Sequence, residues 1–199
     1  TFWDQFNCPV YNLNHHYTHA LSCWPLYDVA KIKKEFVLDG LGNRGRHTAV
    51  YVDKKLVDYI DRDENLGLSV TMERIGQDMG MKGMVLDIAG KLMALKAYHN
   101  VPEDAEKHLF QICSKLKYRE FEPFMNAVFK IQEHFNPRPD KQQTLLNFAH
   151  LLHSWGENKL PDYFSNFVKD NNEIITYSGG TAQNTVVNTK LKERFPNLV

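Results

Sequence analysis

The sequence predicts an α/β domain with a helical block inserted between its strands. Two short apolar runs, residues 36–38 and 173–177, have the length and composition of buried strands, and a glycine turn follows each of them. Between these runs, residues 102–156 carry apolar side chains mostly at helical spacing. Strands near both ends of a chain, with helices between them, are typical of an α/β domain that contains an inserted helical subdomain.

The segment before the first buried strand is predicted to form a short strand end and then a helix. Residues 10–13 have the strand pattern, and residues 14–24 have the helix pattern. Asn14 belongs to the residue types that cap helix N-termini, and Pro25 favours an extended conformation in the residue before it. We therefore expect this helix to begin after Asn14 and to end before Pro25.

Hydrophobic periodicity predicts the elements that follow the first strand. Residues 48–52 and 55–60 are expected to form a β-hairpin, and residues 68–79 a helix. A loop-rich stretch is indicated by three glycines: Gly80, Gly83 and Gly90. Residues 91–96 are either helical or a packed loop.

The chain is expected to divide into three parts. The helical pattern is broken by two prolines within residues 136–140, and it returns as a final helix at residues 184–195. The parts are a strand-rich region (1–100), a mainly helical insertion (101–170) and a strand–helix unit (171–199). Because the chain has no initial Met and stops just after a helical pattern, we expect it to be a piece of a longer protein.

Composition excludes several classes of protein. The 24 basic and 24 acidic residues cancel, so bulk charge does not imply a nucleic-acid partner. No apolar run approaches the roughly 18 residues of a membrane span. The three cysteines (Cys8, Cys23 and Cys113) form no Cys-x-x-Cys pair, which indicates reduced thiols in a cytoplasmic protein.

A histidine pair in the first helix is a candidate metal site. His15 and His19 are four residues apart, which places both imidazoles on one face of a helix, whereas His16 points elsewhere. Two imidazoles with open coordination positions suit a catalytic divalent metal such as iron or zinc. The alternative is a pair that only decorates the helix, since a metal site needs a third ligand that spacing does not reveal.

The glycine turn after the first strand is a candidate phosphate site. Its residues are Asp39, Gly40 and Gly42. Glycines let backbone N–H groups approach a phosphate closely, and the aspartate could hold a metal or a water. The alternative is an ordinary turn.

The late glycine turn is a second candidate for anion binding. Ser178, Gly179 and Gly180 lie between a strand and a helix, where backbone amides and the helix N-terminus favour an anion. Asn184 and Asn188 are four residues apart on the next helix and could face one ligand. The alternative is a tight turn, since the phosphate-loop pattern ending in Gly-Lys-Ser/Thr is absent.

The order of these motifs resembles the O-carbamoyltransferase family, which includes nodulation-factor and antibiotic carbamoyltransferases. The resemblance covers residues 10–195. Four segments carry it in order: HHYTHA at 15–20, LDGLG at 38–42, GKLMAL at 90–95 and SGGTAQNTVVN at 178–188.

The resemblance implies an actin/Hsp70-like ATPase (ribonuclease H-like) fold, of which this chain is a part. A second domain, absent here, makes carbamoyl-adenylate from carbamoyl phosphate and ATP. The first domain then transfers the carbamoyl group to a hydroxyl of an alcohol acceptor, such as a sugar, an antibiotic or a modified nucleoside. The family's metal ligands match His15 and His19, and they include an aspartate that lies beyond residue 199.

The same resemblance implies roles for the two glycine turns, and the residues themselves indicate a possible role for one lysine. Nucleotide and phosphate are held where Asp39, Gly40 and Gly42 match the family pattern, and again at the residues that match Ser178, Gly179, Gly180 and Asn184. Lys91 could pair with a phosphate during catalysis, although a lysine after a glycine is more often solvated. Two segments depart from the family, KAYH at 96–99 and GTAQN at 180–184, so the acceptor is not identified.

Two other functions stay open from the sequence. The chain could be an inactive or split fragment that binds only nucleotide or a partner, because its third metal ligand is expected outside residues 1–199. It could also be a tRNA-modifying relative, but that group lacks the segment that begins Lys91-Leu92-Met93.

Overall fold

A four-stranded mixed sheet organises the structure, a computed structural model that describes residues 5, 8–64, 67–98, 101–135, 140–170 and 172–199. The strands are β1 (Ile32–Leu38), β2 (Arg46–Val52), β3 (Lys55–Asp61) and β4 (Ile174–Ser178), in the order β3-β2-β1-β4. β1 and β3 are antiparallel to β2, and β4 is parallel to β1. The predicted α/β class is therefore confirmed.

The hairpin of β2 and β3 forms where the sequence predicts it. The two residues between the strands, Asp53 and Lys54, have φ values of 47° and 65°. Two central residues with positive φ make a turn whose twist matches that of the flanking strands. The outer edge of β4 is covered in part by the chain end, since Val199 N–H donates to the Ile175 carbonyl over 2.9 Å.

Seven helices accompany the sheet in the described part of the chain. They are α1 (His15–Ser22), α2 (Gly67–Asp78), α3 (Val85–Leu95), α4 (Glu103–Ser114), α5 (Phe121–Phe135), α6 (Lys141–Ser165) and α7 (Thr185–Arg194). The helices predicted at 14–24, 68–79 and 184–195 are confirmed as α1, α2 and α7. None of the described helices has the length and apolarity that crossing a bilayer requires.

The two faces of β1 explain how the sheet separates α1 from the other helices. Val37 points to one face, where it packs with Ala20 of α1 in a small apolar cluster. Phe36 and Leu38 point to the other face and join the main core, in which Phe36 stacks on Phe164 of α6 with ring centroids 3.7 Å apart. The inserted helices therefore share one core with the sheet.

Two glycines at the limits of predicted helical segments lie inside helices. Gly90 was expected in a loop, but it lies within α3, where a Cβ would meet no atom within 4 Å. Gly156 lies within α6, and a Cβ there would stand 2.9 Å from the Leu68 side chain and 3.0 Å from that of Val187. Gly156 thus lets α6 pack closely on α2 and α7.

The prediction of a strand at residues 10–13 is wrong. The segment pairs with no strand among the described residues, and it is exposed, with Tyr11 83% exposed. Cys8 and Cys23 are free thiols, as expected. The predicted break at 136–140 falls almost wholly outside the described residues, as do His99 and the side chain of Cys113.

A buried histidine in α6 predicts how stability depends on pH. His153 is fully buried, and its Nδ1–H donates to the Ala149 carbonyl over 2.6 Å. Burial lowers the pKa of His153 from 6.5 to about 4, because the charged imidazolium is poorly solvated there. As the pH falls, the unfolded chain therefore protonates His153 before the folded chain does. The contribution of neutral His153 to the free energy of unfolding is complete above pH 6.5 and is lost as the pH falls toward 4.

Between pH 6.5 and pH 4, we expect protonation of His153 to lower the free energy of unfolding of the metal-free protein by about 3 kcal/mol. Urea unfolding at a series of pH values measures it. His153→Leu should have a shallower dependence on pH by that amount, whatever its absolute stability. The matched control is His108→Leu, since His108 is exposed. Equal slopes for wild type and His153→Leu would contradict the prediction.

Candidate metal centre

The position of α1 is set by two asparagine side chains. Asn14 is the N-cap, and its Oδ1 accepts the Tyr17 N–H over 3.2 Å. The His15 N–H donates to Oδ1 of Asn43, in the loop after β1, over 2.7 Å. The start of α1 is therefore tied to the loop that leaves the sheet. The sequence showed the first contact through the N-cap preference, but nothing in it indicated Asn43.

Gly42 lets α1 lie directly on this loop. A Cβ at Gly42 would stand 2.3 Å from two atoms of the His16 ring and 3.2 Å from His15. His16 is fully buried beneath, and burial lowers its pKa to about 4, so it is neutral near pH 7. His16 thus differs from His15 and His19, which are exposed and partly exposed. Gly42 thus has a packing reason to be glycine that does not involve phosphate.

Asp39 brings a carboxylate to the two histidines. It directly follows β1, and its Oδ2 lies 2.6 Å from Nε2 of His15 and 3.3 Å from Nε2 of His19. One ligand atom from each of the three residues lies within 4.8 Å of the others. The side chains of His15, His19 and Asp39 are 45%, 34% and 17% exposed, so the cluster opens to solvent.

The late glycine turn positions this carboxylate from the other side. The Gly180 N–H donates to Oδ1 of Asp39 over 3.0 Å. Gly179 has φ +97°, and a Cβ there would stand 2.3 Å from the carbonyl oxygen of Leu38. Only glycine fits so close to the end of β1. The first and last candidate motifs therefore meet at Asp39.

The environment of Asp39 favours its ionised form. Burial by itself raises the pKa of Asp39, but the amide of Gly180, the imidazole of His15 and the amide of Gly40 together hold that pKa below its usual value. Asp39 is thus a carboxylate at neutral pH, which is the form that binds a cation.

Two imidazole nitrogens and one carboxylate oxygen are a ligand set suited to a divalent metal. This set on one side of an ion leaves positions for substrate or water, as in non-haem iron and catalytic zinc sites. The expected third ligand lay beyond residue 199, whereas the structure places a candidate for it, Asp39, within the chain. Asp39 was noted from the sequence as a possible ligand because it follows a buried strand, but spacing did not place it beside α1.

The other predicted site residues have contacts of their own. The Gly42 N–H donates to the Arg46 carbonyl over 2.7 Å, so this amide, like that of Gly180, is engaged inside the protein. Asn184 caps α7 through the Val187 N–H, 3.2 Å away. Lys91 donates to the Lys82 carbonyl over 2.6 Å.

Two of these contacts revise the predicted site. Lys91 forms no hydrogen bond or ion pair with His15, His19 or Asp39 within the described chain, so the structure does not bring it to the metal cluster. Asn184 and Asn188 were expected to face one ligand, but Asn184 uses its side-chain oxygen as a helix cap and Asn188 donates to the Ala182 carbonyl.

No protein-family model matches the chain, and no curated protein matches it. The functional proposal therefore depends on the geometry of the cluster and on the resemblance of the motifs.

Proposed function

We propose that the chain is the metal-binding part of an O-carbamoyltransferase, and that His15, His19 and Asp39 hold its iron or zinc. The observation that supports this proposal is the convergence of α1, the β1 turn and the Ser178–Gly180 turn on the carboxylate of Asp39. These are three of the four segments on which the resemblance depends. Their meeting at one exposed cluster is what a shared active site requires.

We extend the proposal to the fold. An antiparallel unit of three strands, continued by a strand parallel to β1 after a helical block, is the part of an actin/Hsp70-like ATPase domain that we assign to this chain. Its adenylate-forming domain would be a separate unit that supplies carbamoyl-adenylate.

In the proposed reaction, the acceptor oxygen bonds to the carbamoyl carbon. The bond from that carbon to the adenylate phosphate oxygen breaks, AMP leaves with the electron pair, and the proton of the acceptor hydroxyl passes to solvent. A bound divalent metal supplies a Lewis acid that polarises the carbamoyl carbonyl or lowers the pKa of the hydroxyl.

The chain's own residues orient this site. Asn14 and Asn43 fix the start of α1, and the Gly180 amide fixes the carboxylate of Asp39. Preorganised ligands of this kind lose little order on binding, which favours both metal affinity and a defined orientation of the acceptor. We propose that the carbamoyl group of the adenylate lies toward His15 and His19, on the side of the cluster that is open to solvent.

Mass spectrometry tests the proposed activity. Metal-loaded protein is incubated with carbamoyl-adenylate, generated by an adenylate-forming enzyme from carbamoyl phosphate and ATP, and with a sugar, an aminoglycoside and a nucleoside. We expect one acceptor class to gain a carbamoyl group with wild type and with the His108→Ala control, but not with His19→Ala. No carbamoylated acceptor, or equal product from wild type and His19→Ala, would show that the proposal is wrong.

The alternative, a fragment that binds only nucleotide or a partner, drew its support from the expected lack of a third ligand. The position of Asp39 beside His15 and His19 offers a candidate third ligand within the chain, which weakens this support. Metal binding without any group transfer in the experiment above would favour the alternative.

A further inference from the structure

A lysine in α6 is buried and has no partner. The side chain of Lys159 is only 6% exposed. Its Nζ forms no hydrogen bond or ion pair with the described residues, and it lies 5.8 Å from the centroid of the Trp155 ring. The stem of Lys159 is buried, but its Nζ is not fully enclosed, so an ion from solvent can reach it.

Lys159 lines a cavity of about 570 Å³, which we call the Lys159 cavity. The cavity lies where the α4–α5 loop crosses α6 beside β3. Its volume falls within the range of small-molecule sites, roughly 300–1,000 Å³. Its charged lining residues are Asp58, Lys115, Lys117, Arg119, Lys159 and Asp162.

The charges of the Lys159 cavity do not balance internally. Arg119 is already engaged, since it binds Asp58 and also Glu64 through Nη1 over 2.5 Å. Asp58 in turn accepts the Tyr163 hydroxyl over 2.6 Å. Three lysines then face a single carboxylate, that of Asp162. This local positive excess stands out in a chain whose total charge is zero.

A neighbouring cavity is lined by more acidic than basic residues, and this contrast helps to define the ligand. It measures about 460 Å³, shares Lys159 and Asp162 with the first, and adds Glu106 and Glu157. Glu106 contacts His150 over 2.7 Å and Glu157 pairs with Lys96, yet carboxylates still outnumber the one lysine there. An anion is therefore favoured on the β3 side of Lys159 and not on the α4 side.

We propose that the Lys159 cavity binds a small organic anion, a phosphate monoester or carboxylate, through Lys159, Lys115 and Lys117. Lys115 and Lys117 are exposed and have no ion pair among the described residues, so they are free to turn toward the anion. Leu116 and Phe167 line the same cavity and offer an apolar surface to the rest of the ligand. This site is separate from the His15–His19–Asp39 cluster and does not depend on carbamoyl transfer.

Isothermal titration calorimetry at low salt tests the inference with phenyl phosphate, benzoate, inorganic phosphate and phenol. We expect phenyl phosphate or benzoate to bind, phenol not to bind, and added salt to weaken binding. Comparison of the affinities for phenyl phosphate and benzoate shows whether the site prefers a phosphate or a carboxylate. Lys159→Met keeps the buried stem while it removes the charge, and should weaken binding by about tenfold or more.

Three further variants show whether the anion binds in the Lys159 cavity or elsewhere on the protein. Lys159→Arg should retain binding, and so should Lys130→Met, which removes an exposed lysine from α5. His19→Ala should bind the anion as wild type does, because the metal cluster is not involved. The inference is overturned if no anion binds at millimolar concentration, if Lys159→Met binds as wild type does, or if His19→Ala alone abolishes binding. The first result would mean that Lys159 only extends its ammonium into solvent within the cavity.

Discussion

Asp39→Asn is expected to abolish stoichiometric metal binding while the fold is retained. Asparagine has the shape of aspartate and can still accept the Gly180 N–H, so the contact between the two glycine turns is preserved. It lacks the negative charge that holds a cation between His15 and His19. We expect affinity for iron or zinc to fall by at least about 100-fold, as loss of a direct ligand should exceed the loss of a supporting one.

Elemental analysis after anaerobic loading and dialysis measures this effect. Wild type should retain about one metal ion per chain, and Asp39→Asn almost none. The matched control is Asp63→Asn, which neutralises a carboxylate that is 92% exposed and should bind metal as wild type does. Thermal unfolding of the metal-free proteins checks that the fold is unchanged. If Asp39→Asn binds metal as wild type does, His15 and Asp39 form only a hydrogen-bonded pair.

The elements that the sequence predicted correctly are those whose local and tertiary preferences agree. The helix at 14–24 has an N-cap, and both residues of the 53–54 turn have the positive φ of a tight hairpin. Pro25 does not end α1 as predicted, because α1 ends at Ser22 and Pro25 lies in a short 3-10 helix, Trp24–Leu26. Residues 10–13 have a strand pattern without a partner strand, which no local rule reveals. Gly90 was misassigned because glycine usually interrupts a helix, whereas the apolar residues on both sides of it pack against α2 and α6 and outweigh its low helix propensity.

The candidate site was predicted in its parts but not in its arrangement. Spacing placed His15 and His19 on one helical face, because that is a local property of a helix. The position of Asp39 beside them depends on α1 folding back over the end of β1, which is a tertiary contact made possible by Gly42. Lys91 was included because it follows a glycine and could pair with a phosphate, and its contact with the Lys82 carbonyl shows that such a position does not determine proximity to the site.

Gly179→Ala is expected to reduce both stability and metal affinity. At φ +97° a side chain is strained, and the new Cβ would stand 2.3 Å from the Leu38 carbonyl oxygen. That oxygen belongs to the backbone at the end of β1 and cannot turn aside as a side chain would. We expect the free energy of unfolding to fall by roughly 2–4 kcal/mol. Urea unfolding of the metal-free variant measures this.

The same change should act on the metal through Asp39. To relieve the clash, the turn must move away from β1, and the Gly180 N–H then leaves Oδ1 of the carboxylate. A ligand that binds only the folded state raises stability according to its affinity. Saturating wild type with zinc should therefore raise the urea midpoint more than the same zinc concentration raises that of Gly179→Ala.

Gly90→Ala is the matched control, because it adds the same methyl group where no atom lies within 4 Å. It should be neutral or stabilising by up to about 1 kcal/mol, as alanine is the better helix former, and should leave the zinc-induced shift unchanged. Two results would contradict the proposed link between the Ser178–Gly180 turn and metal binding by Asp39. One is a Gly179→Ala protein as stable as Gly90→Ala. The other is a destabilised Gly179→Ala protein with the full zinc-induced shift, which would mean that the Ser178–Gly180 turn supports the fold without positioning the metal ligand.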